Sequence, residues 1–163
     1  MANPITAKTT TAILNQPRTG SPDTETAAQL LERDPLIHDW FALVQKQEDL
    51  TAIPMSYADR TAHLPQLLAD VIARLRPDFS TKAAISIAAG NHDDLRRKQG
   101  YSAAMLVEES RILEVCLFTT PHKNNARLDD DQLLRDVVTI ADEVKAQLKC
   151  QMLRYISAHP VNT

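Results

Sequence analysis

The sequence predicts an all-α protein, and three observations carry that prediction. Only 3 of the 163 residues are glycine, where average usage would supply about 11. Hairpin turns and dinucleotide-binding loops draw on glycine for positive φ and close backbone approach, and Gly20, Gly90 and Gly100 leave little to build them from. Most of the gap is filled by good helix formers such as Leu, Ala, Gln, Arg, Lys and Glu. Third, apolar residues recur at helical spacing, as in Leu64, Leu67, Leu68, Val71, Ile72 and Leu75. The expected architecture is an antiparallel helical bundle of about five main helices.

Residues 1–22 are rich in Thr, Pro, Asn and Ser without sustained periodicity, which reads as a flexible arm. One helical domain is expected over 23–158, with 159–163 as a tail. Asp23–Thr24 is a favourable N-cap for a helix over about Glu25–Arg33. Asp34-Pro35 interrupts it, and Pro35 either kinks one long helix or sits at N1 of a second, Leu36–Gln47. Trp40 is the largest core candidate. Leu50–Met55 reads as a linker. Ser56 opens a short helix through His63, and Pro65 suits the first turn of Leu64–Leu75, whose Asp70, Arg74 and Arg76 face away.

Ser80 is placed to cap a helix over about Thr81–Gln99, in which Gly90 costs about 1 kcal/mol relative to alanine. Gly100 is placed as the left-handed residue that ends it. Ser102 caps the next helix, Ser102–Thr119, closing a tight αα-hairpin, with Leu106, Leu113, Cys116 and Leu117 as its buried stripe. Thr119–Arg127 is polar, contains Pro121 and is expected to be a loop. Asp129, Asp130 and Asp131 open the last helix, Asp129–Ser157, where carboxylates complement the helix N-terminus; no metal is assigned to them. Leu134, Val137, Ala141, Val144, Leu148 and Tyr155 form a heptad-like seam with Gln151 as a polar exception. A core helix and a dimer interface account for this seam equally well.

Composition narrows the function classes. The net charge is −3, which argues against a nucleic-acid binder held by phosphate contacts. There is no glycine-rich phosphate loop, G-x-S-x-G or H-E-x-x-H. His38, His63, His92, His122 and His159 never pair at metal-ligand spacing on one helix. Cys116 and Cys150 form no disulfide framework and read as small buried hydrophobes. Met1–Pro22 lacks the apolar core of a signal peptide, and no stretch nears the ~18 apolar residues of a membrane span. The expectation is a cytoplasmic, soluble protein in which most enzymatic signatures are absent and no cofactor is assigned.

One constellation stands out. His92 and Arg96 are i, i+4 on one helix and share a face. Across the predicted hairpin lies Glu109. His92 is eight residues before Gly100 and Glu109 nine after it, so at about 1.5 Å per residue the two stand at nearly one height. Arg96, one turn nearer the bend, can reach back. A partly buried His92–Arg96–Glu109 network is expected, because charge inside a core must be paired. It either only fixes the hairpin register, or it lines a small pocket or titrates as a sensor. A second reading starts from His92-Asp93-Asp94-Leu95-Arg96, which is similar to the phosphoacceptor helix of histidine kinases and would make the chain a phosphotransfer or kinase-dimerisation module.

The run His92, Arg96, Gly100-Tyr101-Ser102, Leu106-Val107-Glu108-Glu109 and Arg111-Ile112-Leu113 resembles the N-terminal sensor domain of RsbT co-antagonist proteins of the RsbRD type, also found at the N-terminus of bacterial histidine kinases. Trp40, Ser56 and His63-Leu64-Pro65 extend the resemblance over roughly residues 27–157. It implies a cytoplasmic, all-helical, non-catalytic input module of stress signalling. Such a module perceives a signal and passes it to a C-terminal output domain or partner protein. It also implies a globin-like fold without haem as the alternative architecture. A homodimer through the last helix and an unidentified small ligand are compatible with it, whereas nucleic acid and membrane are not expected partners.

Overall fold

The computed structural model describes residues 26–76, 96–124, 126 and 128–158. Among these residues it forms seven helices and no strand, so the fold is all-α. The predicted arm and tail, the cap at Asp23–Thr24, and Ser80, Gly90 and His92 lie outside the described residues.

Local chemistry accounts for each helix start. Helix α1 (Ala27–Arg33) is capped by Thr26. Its hydroxyl accepts from the Gln29 backbone at 3.3 Å, and the Gln29 side chain accepts from the Thr26 N–H at 2.9 Å, a reciprocal arrangement that satisfies orphan donors. Asp34 and Pro35 then separate α1 from α2 (Leu36–Val44), with Pro35 at the N-cap rather than inside a helix. The expected continuation of α2 to Gln47 does not form. A turn follows Val44, and Glu48–Thr51 makes a separate single-turn helix, α3, within the segment read partly as a linker. The break seats Leu50 in the core with no exposure.

Helix α4 (Tyr57–Thr61) starts at Ser56, whose hydroxyl accepts from the Asp59 N–H at 3.1 Å. It ends two residues short of His63. Helix α5 (Leu64–Leu75) matches its predicted span, with Pro65 in the first turn. Residues 96–98 close a helical turn, and Gly100 takes φ +90°. The Gly100 N–H donates to Arg97 O at 3.0 Å and the Tyr101 N–H to Arg96 O at 3.0 Å, the pair of bonds that ends a helix at a left-handed residue.

Helix α6 (Ala103–Lys123) is capped by Ser102, which accepts from the Met105 N–H at 3.2 Å. It runs through Pro121, four residues past the expected end. Proline deletes one backbone bond, but here it stands in the last turn and is buried with Thr120. Helix α7 (Asp130–Ser157) is capped by Asp129, whose carboxylate accepts from the Gln132 N–H at 3.1 Å.

Helix α6 is the central rod, with α1, α2 and α7 against it, while α5 packs on α1 and α7. Trp40, Leu31, Leu50, Val71, Leu117 and Ile140 are fully buried between them. The expected seam of α7 is corrected. Its buried face is Asp136, Ile140, Val144, Gln147 and Gln151, so Leu134, 68% exposed, points outward. Val137, Ala141, Leu148 and Tyr155 are half-buried. Val144 and Gln151 of the seam lie on this face, and the polar side chains of Asp136 and Gln147 disguise the rest of it. Arg74 also departs from expectation: its guanidinium meets Glu143 of α7 at 2.9 Å. Cys116 is buried and Cys150 only half-buried.

Candidate functional site

The structure brings Arg96 and Glu109 together in the interior. Arg96 is fully buried and Glu109 is 5% exposed, with Arg96 Nε 3.4 Å from Glu109 Oε2. The bend at Gly100 makes this possible, because it folds the residue 96–98 turn back against the second turn of α6. His92, the third residue of the predicted network and the residue on which the phosphotransfer reading depends, lies outside the described residues.

Two further residues complete the cluster. Tyr101 donates its phenol proton to Glu109 Oε1 at 2.7 Å. Its oxygen in turn accepts from Arg60 Nη1 at 2.7 Å. Arg60, 2% exposed, spends its other terminal nitrogen on the carbonyls of Leu50 at 3.1 Å and Ile53 at 2.8 Å. Arg96 Nη2 donates to the Arg60 carbonyl at 2.6 Å. Arg96 Nη1 reaches Gln99 Oε1 at 3.1 Å and Met55 Sδ at 2.7 Å. The Arg96 guanidinium carbon also lies 4.9 Å from the Tyr101 ring centroid, a cation–π contact. Trp40 closes the cluster from α2, its indole N–H donating to the Glu109 carbonyl at 3.3 Å. His63 meets the Trp40 ring edge-on at 5.8 Å.

Two guanidiniums thus surround one carboxylate among apolar side chains. Burial raises the Glu109 pKa, and this outweighs the lowering by Arg96, Tyr101 and Arg60. The Tyr101 phenol is held well above its ordinary value, chiefly by burial and then by the neighbouring carboxylate. It therefore serves as a neutral donor throughout the physiological range. The Cys116 thiol is pushed up to about 11, first by burial. That keeps it protonated and unreactive.

The predicted network holds neither Arg60 nor Tyr101, and Tyr101 enters the sequence reading only as part of the run that carries the resemblance. Tyr101 stands in the Gly100-Tyr101-Ser102 bend, where an aromatic following a helix-ending glycine is placed to turn inward. Arg60 gave no such signal, because an arginine on a five-residue amphipathic turn is ordinarily solvated.

Comparison with protein-family models, with curated proteins and with solved structures finds no match to the chain. No three His, Cys, Asp or Glu residues cluster as metal ligands among the described residues. No helix among them is long and apolar enough to cross a membrane.

Proposed function

We propose that the chain is a non-catalytic input module of bacterial signal transduction, of the kind that precedes stressosome or histidine-kinase output domains. In this reading the Arg60–Tyr101–Glu109–Arg96 cluster is the sensing element and α7 carries its state to an output domain or partner protein. The observation that carries the reading is the cluster itself. Ion pairs buried in a core are weak stabilisers compared with apolar packing, and a network that spans the α3–α4 region, the Gly100 bend and α6 is well suited to hold two arrangements close in energy. The resemblance of the Arg96–Glu109 stretch to RsbRD-type sensor domains supports the same reading. The outer face of α7 is the proposed docking surface for a second copy of the chain. Leu134, Val138, Leu153 and Ile156 are 53–68% exposed there, with Asp142, Lys145 and Lys149 between the two apolar ends, charges of opposite sign that a second copy can answer.

The test is a chimera in which α7 runs in register into the dimerisation and catalytic region of a bacterial sensor kinase. Glu109→Gln and Arg96→Met are expected to change autophosphorylation at least about fivefold, and Glu108→Gln, outside the cluster and paired with Arg111, to change it less than twofold. Folded chimeras with wild-type output from all three would overturn the sensing role.

A further inference from the structure

Helix α7 presents an unusually polar strip to the interior. Gln147 and Gln151 are 5% and 6% exposed. Burying an amide is costly unless its donors and acceptor are answered. Gln147 Nε2 reaches Glu143 Oε1 at 3.1 Å and Leu67 O at 3.4 Å, the second at the edge of hydrogen-bond range. Both glutamines open onto a cavity of about 20 Å³ that is also lined by Glu109 and Ser110 of α6 and by His63, with leucines of α5 and α6 forming the rest of the wall. That volume admits a single water, and a buried water needs two to four polar partners. Among the lining residues, Glu109, Ser110, Gln147 and Gln151 carry polar groups on two helices.

We propose that this cavity is a water-binding site that joins Glu109 to Gln147 and Gln151, so that α7 responds to the proton on Glu109. The inference rests on the sensing role proposed above and supplies the contact through which α6 reaches α7. A glutamine amide carries both a donor and an acceptor. A water between it and Glu109 therefore donates toward the carboxylate, and reverses its direction when Glu109 gains a proton. The charged and titratable groups facing Glu109 are Arg96 beside the Gly100 bend, Arg60 of α4, Tyr101, and His63 on the cavity wall. From α7 the cavity receives the two neutral amides, with the Glu143–Arg74 ion pair one turn from Gln147.

The test is nuclear magnetic resonance on the full chain labelled in its glutamine and glutamate side chains. The Gln147 and Gln151 amide signals are expected to show cross-peaks to water and to shift with the midpoint of Glu109. Amides without water cross-peaks, or unmoved while Glu109 titrates, would overturn the site. A double-mutant cycle of Glu109→Gln with Gln151→Met, read by denaturant unfolding, gives an answer even if Glu109 does not titrate in the folded range. Coupling that moves the unfolding equilibrium at least about fivefold from additivity supports the site, and additivity within about twofold refutes it. Output from the kinase chimera that is indifferent to Glu109, alongside coupled glutamines, would remove the sensing role and leave the water site standing.

Discussion

Tyr101 is the residue on which the buried cluster turns, because one phenol serves two charges. Its proton goes to Glu109 and its oxygen takes a proton from Arg60. Tyr101→Phe keeps the ring and the packing but leaves a buried acceptor and a buried donor unanswered. A loss of about 1–3 kcal/mol is expected from chemical denaturation, with an unchanged slope against denaturant. Glu109 makes a second prediction, on pH. Its folded pKa lies above the unfolded value, so the folded state holds more protons between the two. Its contribution is greatest below the ordinary carboxylate value and is lost as pH rises through the folded value. Glu109→Gln, which keeps a partner for the Tyr101 phenol, is expected to gain melting temperature relative to the parent as pH rises from about 4.5 upward. A difference that stays flat or runs the other way would show that the Arg96 ion pair, and not burial, governs this carboxyl.

Elements differ in how openly their residues declare them. Helix α5 was legible to the residue, because Pro65 fits a first turn and the leucines repeat at three and four. The caps at Ser56, Ser102 and the acidic run at Asp129 were legible for the same local reason: a side-chain oxygen answers a backbone donor three residues on. Gly100 belongs with them. At φ +90° a Cβ would meet no atom within 4 Å, so Gly100→Ala tests backbone strain alone, with an expected cost of about 1–2 kcal/mol by thermal or denaturant unfolding. The ends of α2 and α6 were not legible. Helix α2 stops where Leu50 and its carbonyl must turn toward Arg60, and α6 continues through Pro121 because Thr120 and Pro121 have a core to enter. Both outcomes depend on partners far away in the chain.

The whole molecule is organised around α6, with the charged cluster at one end of that helix and α7 along its length. Trp40 joins the two aspects, fully buried while donating to the Glu109 backbone. Trp40→Ala is expected to cost about 3–5 kcal/mol through the cavity it leaves, and loss of the tryptophan fluorescence change on unfolding makes circular dichroism the measurement of choice. The outer face of α7 gives a prediction at the same scale. Leu153→Asp on this exposed surface should change monomer stability by no more than about 0.5 kcal/mol while shifting light scattering from dimer to monomer; a parent protein that scatters as a monomer at high concentration would sink the second-copy partner.

The sequence by itself determined the helical class, most of the caps, the bend at Gly100 and the coming together of Arg96 and Glu109, since each follows from spacing or from chemistry within a few residues. Only the tertiary structure decided that Arg60 enters the same interior layer, that Tyr101 bridges it to Glu109, and that α7 turns Asp136, Ile140 and Gln147 toward the core beside Val144 and Gln151 of its seam. Those three depend on which surfaces meet across the molecule. A polar side chain is stable inside only when a distant segment brings the matching donor or acceptor, and nothing in its own neighbourhood of the chain records that partner.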